Sequence, residues 1–493
     1  MIGTSWRKQW FFNIRADLLS GLVVALALIP EAIAFSLIAG VDPQVGLYAS
    51  VAILFVTALV GGRPGMISAA TAAMALLMIT LVKEHGLQYL FAATILTGFV
   101  QIGLGILRVD RLLRFVPRAV MIGFVNALAI LIVLAQMPEF AGASWVMYAM
   151  VVGSLAIIYG LPRLTKAVPS PLVAIVIMTI ITLVFKLQVR TVGDLGQLPT
   201  SLPIFALPAV PVTLETLWIV LPYAFPMAIV GLLESFLTAT LLDDVTDTPS
   251  NKQQEAVGQG LSNIVAGCFG GMAGCAMIGQ SIINVKSGGR GRLSTFAAGT
   301  WLLLLMLVAA DWLREIPMGV LVAVMFMVGI GTFDWAALKQ VRVLPRSETI
   351  VMIATVVAVV HTHDLSIGVG IGILLSAIFF ARRVAKIFSV TTALDSTGQV
   401  MTIHVHGQLF FVSTETFLKT IPWHEHVQQM IIDLTHAHLW DSAAVGAIDK
   451  VVLKGRRQGK LMEVIGLNHA SATIVDGLGL YHKEDAPDQE FAH

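Results

Sequence analysis

The feature that most constrains this chain is a succession of apolar segments, broken by Gly, Pro and charge clusters, filling residues 1–390. A helix that crosses a bilayer needs roughly 20 apolar residues, and the breaks divide the region into about fourteen such segments. The clearest are 18–39, 89–107, 119–136, 171–185, 217–242, 293–310 and 366–381, with shorter, glycine-interrupted ones at 45–60, 66–82, 255–269 and 277–288. Charge is distributed to match. Residues 1–390 hold 24 Lys+Arg and 18 Asp+Glu, or 42 in 390, whereas the last 103 residues hold 7 and 12, or 19 in 103. Average soluble proteins carry about 25% charged residues, so only the tail has a soluble composition. The chain therefore reads as an α-helical polytopic membrane protein: a cytoplasmic, interfacial segment at 1–16, a transmembrane domain at 17–389, and a small α/β domain at 395–493. The net charge of +1 offers no basic stripe for phosphates, which excludes nucleic acid as a partner. Cys268 and Cys275 lie in apolar sequence at a spacing that suits neither a disulfide framework nor a zinc site.

Placing the cations tests the count, because cytoplasmic loops carry an excess of Lys and Arg. With a cytoplasmic N-terminus and fourteen alternating spans, 20 of the 24 cations fall inside. They include Arg7, Lys8, Arg15, Arg63, the run Arg108, Arg111, Arg114 and Arg118, and then Arg163, Lys166, Lys252, Lys286, Arg290 and Arg292. Lys339, Arg342, Arg346, Arg382, Arg383 and Lys386 complete the set, leaving Lys83, Lys186, Arg190 and Arg314 outside. No cleavable signal peptide is visible. Trp6, Trp10, Phe11 and Phe12 beside Arg7 and Lys8 read as an interfacial anchor.

Internal symmetry points to a binding site in transporters. Gly61-Gly62-Arg63-Pro64-Gly65 precedes the small-residue segment Met66–Ala72, and Gly270-Gly271-Met272-Ala273-Gly274 precedes Cys275–Ser281. These open spans three and ten, seven apart and hence oppositely oriented, as in an inverted repeat of seven plus seven. Glycines let the chain run non-helically part-way into the membrane where protein covers the backbone or it lines a cavity. Each half-helix then begins near the midplane with free N–H groups and the positive end of its dipole aimed inward. Two such N-termini face to face form an anion site without a cationic side chain. Close helix packing by small residues is the alternative use of the same glycines.

Carboxylates deep in apolar segments are costly and usually functional. Glu31, in Pro30-Glu31-Ala32, and Glu234, in Leu233-Glu234-Ser235, stand far from segment ends. They fall in spans one and eight, again seven apart. Thr238 lies one turn from Glu234 on the same face. Desolvation and a neighbouring anion both disfavour the ionised form of such a carboxylate, which is what a proton-coupling group needs. A structural glutamate bonded to a neighbouring helix is the alternative.

From Thr391 the pattern changes to strands at Val400–His406, Met430–Thr435 and Lys460–Leu467, with helices at Ala443–Arg457 and Ser471–Leu480. No Gly-rich phosphate loop and no nucleophile–base pair stands out, so enzyme chemistry and a resident cofactor are not expected. The histidine pairs His361/His363, His404/His406, His424/His426 and His436/His438 lack Cys or carboxylates at ligand spacing, and no metal site is expected.

The residues carry a clear resemblance to the sulfate permease family of anion transporters. Pro30–Phe35 followed by Pro43–Ser50 looks like the family's first-span signature, and Asn284–Gly289 with Arg292-Leu293-Ser294 like the segment after its tenth span. The tail resembles the STAS domain (sulfate transporter and anti-sigma-factor antagonist). Its Ile432-Asp433-Leu434 strand leads to Trp440-Asp441-Ser442-Ala443-Ala444, where antagonist relatives carry a phosphorylatable serine. The resemblance implies a seven-plus-seven repeat with core and gate (scaffold) domains, an elevator-like movement, homodimers in a bacterial inner membrane, and a cytoplasmic tail. It implies substrate contacts from Glu31 and Phe35, from span-three backbone at Ala70, Thr71 and Ala72, and from span-ten backbone at Gly279, Gln280 and Ser281. Glu234 and Thr238 would hold a coupling cation, H+ or Na+, and Ser442 would be regulatory.

Three departures bear on coupling. Many relatives have glutamine in place of Glu31, animal members often have arginine in place of Gln280, and Gly-Pro where this chain has Ala70-Thr71. A site that lacks a cation and gains a carboxylate holds an anion better if a proton or Na+ enters with it, and a bicarbonate-type sodium site would more often show Asp in place of Glu234. The expectation is a secondary active transporter of sulfate, bicarbonate or a dicarboxylate by proton symport. A sodium-coupled bicarbonate symporter, an exchanger or channel of the same fold, a nucleobase-type permease, and a receptor signalling through the tail are the competing readings.

Overall fold

The computed structural model describes residues 7, 9–109, 111, 116–165, 169–199, 201–341, 343–423 and 426–478. Trp6, Lys8, Arg114, Lys166, Arg342, His424 and the last two residues of the expected helix Ser471–Leu480 lie outside the described residues. The chain forms two compact units, Met1–Ile373 and Leu374–His493.

The first unit is helical. Its elements are α1 (Ile14–Ala39), α2 (Pro43–Val60), β1 (Ser68–Ala70), α3 (Ala72–His85), α4 (Leu87–Ile106), α5 (Arg118–Leu134), α6 (Trp145–Gly160) and α7 (Ser170–Val184). There follow α8 (Leu214–Thr246), α9 (Lys252–Cys268), β2 (Gly274–Ala276), α10 (Ile278–Lys286), α11 (Arg292–Val308), α12 (Met318–Thr332) and α13 (Arg346–Thr362). A last helix, α14 (Leu365–Ala385), runs across the boundary between the units. Local chemistry sets the ends. Asn13 caps α1 by accepting from the Ala16 N–H at 3.2 Å, and Gly40 ends it in the left-handed conformation that glycine adopts without strain. Among the described residues seven helices are long and apolar enough to cross a membrane, and α7, α11 and α12 are shorter apolar helices.

Part of the packing repeats when the first seven helices are exchanged with the second seven. Helix α4 packs on α8 and α9 as α11 packs on α1 and α2, and α3 packs on α8 as α10 packs on α1. Outside this group, α5 packs on α13 as α12 packs on α6, and α5 packs on α12. The first set forms a core bundle that holds both short strands; the second forms a separate wall. Two glycines make the α4–α9 contact possible: a Cβ on Gly98 would lie 2.3 Å from the Gly260 carbonyl oxygen, and one on Gly260 2.5 Å from that of Gly98.

The second unit carries a four-stranded sheet in the order β3 (Ser389–Leu394), β4 (Val400–Leu409), β5 (Gln429–Leu439), β6 (Leu461–Ile465). The β3–β4 pair is antiparallel and the other two pairs are parallel. The inward residues Met401, Ile403 and Val405 of β4 and Met430, Ile432 and Leu434 of β5 pack with Ala444, Ile448 and Val452 of α16 (Ser442–Arg457). Helices α15 (Thr414–Thr420), which supplies Phe417, and α17 (His469–Leu478), which supplies Val475, complete the core. The sheet starts at Ser389, inside the stretch 17–389 and ahead of the expected boundary at 395, because Ser389–Leu394 pairs residue by residue with β4.

Candidate functional site

The strands β1 and β2 pair antiparallel with Ser68 opposite Ala276, Ala69 opposite Cys275 and Ala70 opposite Gly274. All six residues are buried. Only small side chains fit here, and at Gly274 none does: a Cβ would lie 2.1 Å from the Ala69 carbonyl oxygen. Neighbouring helices satisfy the strands' outward polar groups, as buried backbone requires. Ser50 of α2 accepts from the Ala70 N–H at 3.3 Å. Asn263 of α9 grips Gly274 twice, accepting from its N–H at 2.9 Å and donating to its carbonyl at 3.1 Å. Ser235 of α8 accepts from the Ala276 N–H at 3.1 Å.

Each strand runs straight into a helix. Thr71 caps α3, its hydroxyl accepting from the Met74 N–H, and Met277 is the residue before α10. The first amides of the two helices, at Ala72 and Ala73 and at Ile278 and Gly279, have no carbonyl within their own helix to donate to. A cavity of about 370 Å³ lies at these two N-termini. Glu31, Phe35, Thr71, Ala72, Glu234, Gly279 and Gln280 all line it. Phe124, Val125, Leu128 and Ile132 of α5 and Met327, Val328, Gly331 and Thr332 of α12 form the opposite wall. The cavity thus separates the core bundle from the second helical group.

Three of the expected residues do not line it. Ala70 is held in the strand pair. Ser281 faces β1, where its hydroxyl accepts from the Ile67 N–H at 3.0 Å, and Thr238 is buried with its hydroxyl donating to the Glu234 carbonyl at 2.8 Å. The hydroxyls of Ser281 and Thr238 are taken up by backbone groups, and the Ala70 backbone is taken up by strand pairing and by Ser50.

The two deep carboxylates connect crosswise to the half-helices. Glu31 of α1 sits one residue beyond Pro30, which cannot donate a helical hydrogen bond. Its Oε1 accepts from the Gln280 side-chain amide of α10 at 2.9 Å. The single oxygen of that amide, Gln280 Oε1, is buried without a hydrogen-bond partner. Glu234 of α8 accepts from the Cys275 thiol at 3.0 Å, and the Cys275 sulfur lies 3.2 Å from the Thr71 hydroxyl. Each acid therefore reaches the half-helix that the other repeat supplies.

Sequence reasoning gave Cys275 no role. It also passed over a buried polar line on α9. Glu255 accepts from the Gly62 N–H at 2.7 Å and from Gln259 at 2.8 Å; Gln259 also donates to Ser68 of β1, and Asn263 to Gln101 of α4. A signal was present: Glu255, Gln259, Ser262 and Asn263 recur at helical spacing on one face of an otherwise apolar segment. Nearer the ends of the helices, Arg63 pairs with Asp243 at 3.2 Å and Arg292 donates to the Gly61 carbonyl at 2.7 Å.

In the second unit Ser442 is exposed at the first turn of α16, next to Asp441, which caps that helix by accepting from the Ala444 N–H at 2.9 Å. His404 bonds Asp433 at 2.9 Å, and the rings of His406 and His436 stack with centroids 5.4 Å apart. Bonds from the Thr435 hydroxyl and N–H, with a further one from His404, hold the Asp433 carboxyl below its ordinary range. His361 and His363 lie at the end of α13. Among the described residues no group of three or more His, Cys, Asp or Glu could hold a metal ion.

The profile of the sulfate permease family matches residues 14–152 and 143–355, and that of the STAS domain matches 391–488. The chain is 57% identical over 469 residues to YbaR of Bacillus subtilis (strain 168), whose name assigns it provisionally to sulfate transport; the match covers 95% of this chain and 98% of that one. It is 29% identical over 428 residues to the bicarbonate transporter BicA of Picosynechococcus sp., covering 80% and 75%. The structure of the transmembrane domain of a cyanobacterial BicA aligns with a TM-score of 0.65 at 28% identity, over 72% of this chain and 97% of that one. Murine Slc26a9, an anion transporter in its inward-facing state, shares the fold over 94% of this chain and 87% of its own, with a TM-score of 0.81 at 16% identity. The chain is a multi-pass membrane protein that belongs to the sulfate permease family of anion transporters and carries that family's STAS domain.

Proposed function

We propose that this protein is a secondary active transporter that carries a small anion together with a proton across the bacterial plasma membrane. The observation that carries the reading is the cavity at two helix N-termini with two carboxylates and no cationic side chain in its lining. The free amides and helix dipoles of α3 and α10 attract an anion. Ionised Glu31 and Glu234 beside it repel one, so protonation of a carboxylate favours anion entry. Binding energy then couples the two ligands reciprocally.

The reading has fourteen spans with the N-terminus and STAS domain cytoplasmic. The cavity wall then runs from the middle of α5 to its last turn and over the last turns of α12. Movement of the core bundle past α5 and α12 would carry the site across. Dimers and regulation through Ser442 belong to the same reading. Ser442→Ala with unaltered transport and unaltered phosphate labelling in cells would remove the regulatory part.

The test is flux in proteoliposomes under a pH or a Na+ gradient, with radiolabelled sulfate, bicarbonate, chloride and dicarboxylates. Accumulation driven by an inward proton gradient is the expected result. Drive by Na+ alone would make this a sodium symporter, and ligand-dependent behaviour of the STAS domain with no flux would make it a receptor.

A further inference from the structure

We infer that Cys275 is a positioning residue that relays the protonation state of Glu234 to the anion-facing hydroxyl of Thr71. The inference rests on the proton-coupled reading above and assigns the group that links its two ligands. Three side chains from three elements form one chain: the Glu234 carboxylate of α8, the Cys275 thiol of β2 and the Thr71 hydroxyl that caps α3. Cys275 is fully buried, whereas Thr71 and Glu234 both line the cavity. The thiol is therefore a link between them that does not line the cavity.

The direction of the chain follows from donor and acceptor capacity. An ionised carboxylate only accepts. The Cys275 S–H is then committed to Glu234, the sulfur can only accept from Thr71, and the Thr71 O–H points away from the cavity. When Glu234 takes up a proton, its O–H donates to the sulfur. The S–H turns to the Thr71 oxygen, and the Thr71 O–H is released toward the cavity, beside the free amides of Ala72 and Ala73. No proton leaves Glu234 and no bond to carbon or sulfur changes; only hydrogen-bond directions reverse. The anion gains one donor in the protonated state, which is the differential interaction that coupling requires.

The surrounding titratable groups do not offer another route. The elements packed on α8 present Lys83, Glu84 and His85 at the far end of α3, Tyr89 at the start of α4, Lys252 and Glu255 at the start of α9, and Lys286 at the end of α10. On α8 itself Asp243 and Asp244 lie more than two turns further on, and Tyr223 and Glu215 three or more turns before. Glu31 shares the cavity but is bonded to Gln280.

The experiment measures the KM for radiolabelled sulfate and bicarbonate in proteoliposomes between about pH 8 and about pH 6. Wild-type KM should fall about tenfold with acidification, within the usual range of coupling between two sites. Cys275→Ala should flatten that response to about twofold or less, with flux down an anion gradient at low pH retained; Cys275→Ser, which can donate and accept, should restore it. A wild-type-like pH response in Cys275→Ala would overturn the relay. Absence of any proton dependence in the wild type would instead overturn the coupled reading itself. A second measurement does not depend on the alanine variant folding. In a Cys268→Ala background, the infrared S–H stretch of Cys275 should shift as the protein is acidified and stay fixed in Glu234→Gln. A band that moves equally in both sinks the proposal.

Discussion

The two halves of the site solve one problem differently. On one side Glu31 is bonded directly to Gln280, a residue in the first turn of α10. On the other, Glu234 reaches the first turn of α3 only through a thiol. A side-chain amide bonded to a carboxylate is a strong, charge-assisted contact with fixed direction. A thiol and a hydroxyl are weak, freely rotating donors that also accept. In the proposed relay the Gln280 side stays put and the Cys275 side reverses. The inverted repeat brings equivalent elements together, and side-chain chemistry then separates their work.

The largest test of this difference removes each acid in turn. Glu234→Gln should abolish proton-driven accumulation in proteoliposomes while leaving flux down an anion gradient. Glu31→Gln should keep accumulation and lower the anion KM at alkaline pH by about three- to tenfold, because a like charge has gone. Equal loss of accumulation in both variants would erase the distinction.

Next in size is the strand pair that both halves share. Gly274→Ala forces a Cβ onto the backbone carbonyl oxygen of Ala69 at 2.1 Å. It should separate β1 from β2 and lower the thermal midpoint by several degrees, which a melting series in detergent would detect. An unchanged midpoint with unchanged flux would show that the strands can part without harm.

A smaller contrast lies in what anchors each strand. Asn263→Ala strands two buried backbone groups of Gly274, and each buried group left unpaired costs about 1–3 kcal/mol. Ser50→Ala strands only the Ala70 N–H. Asn263→Ala should therefore destabilise about twice as much as Ser50→Ala, and the reverse order would mean that β1, not β2, is the weaker strand.

The smallest effect contrasts the membrane acids with an acid in water. The Asp433 carboxyl titrates below its ordinary range because Thr435 and His404 bond its ionised form. A depressed value in the folded state stabilises above the ordinary aspartate range and ceases to do so as pH falls through the depressed one. Hydrogen exchange in β4 and β5 of the full-length protein should show protection, corrected for intrinsic rates, declining on that acid limb. Asp433→Asn should lack this part of the decline.

The sequence by itself determined a great deal here. Apolar lengths located the seven clearest helices to within a few residues, from 18–39 against Ile14–Ala39 to 366–381 against Leu365–Ala385, whereas the segment 66–82 opens as the strand Ser68–Ala70 and becomes helix only at Ala72. Spacing of the glycine runs marked both half-helices, and the cost of burying charge picked out Glu31 and Glu234, which line one cavity. These features were legible because a bilayer leaves few ways to satisfy backbone and charge. Which side chains face the cavity was decided by tertiary structure alone. Ser281 and Thr238 were captured by backbone carbonyls and amides, and Cys275, apolar by composition, became the partner of a carboxylate only because the strand β2 lies between α8 and α3. Hydrophobicity is a property of a segment, but the direction of a hydrogen bond belongs to a pair, and a pair 41 residues apart exists only once the chain has folded.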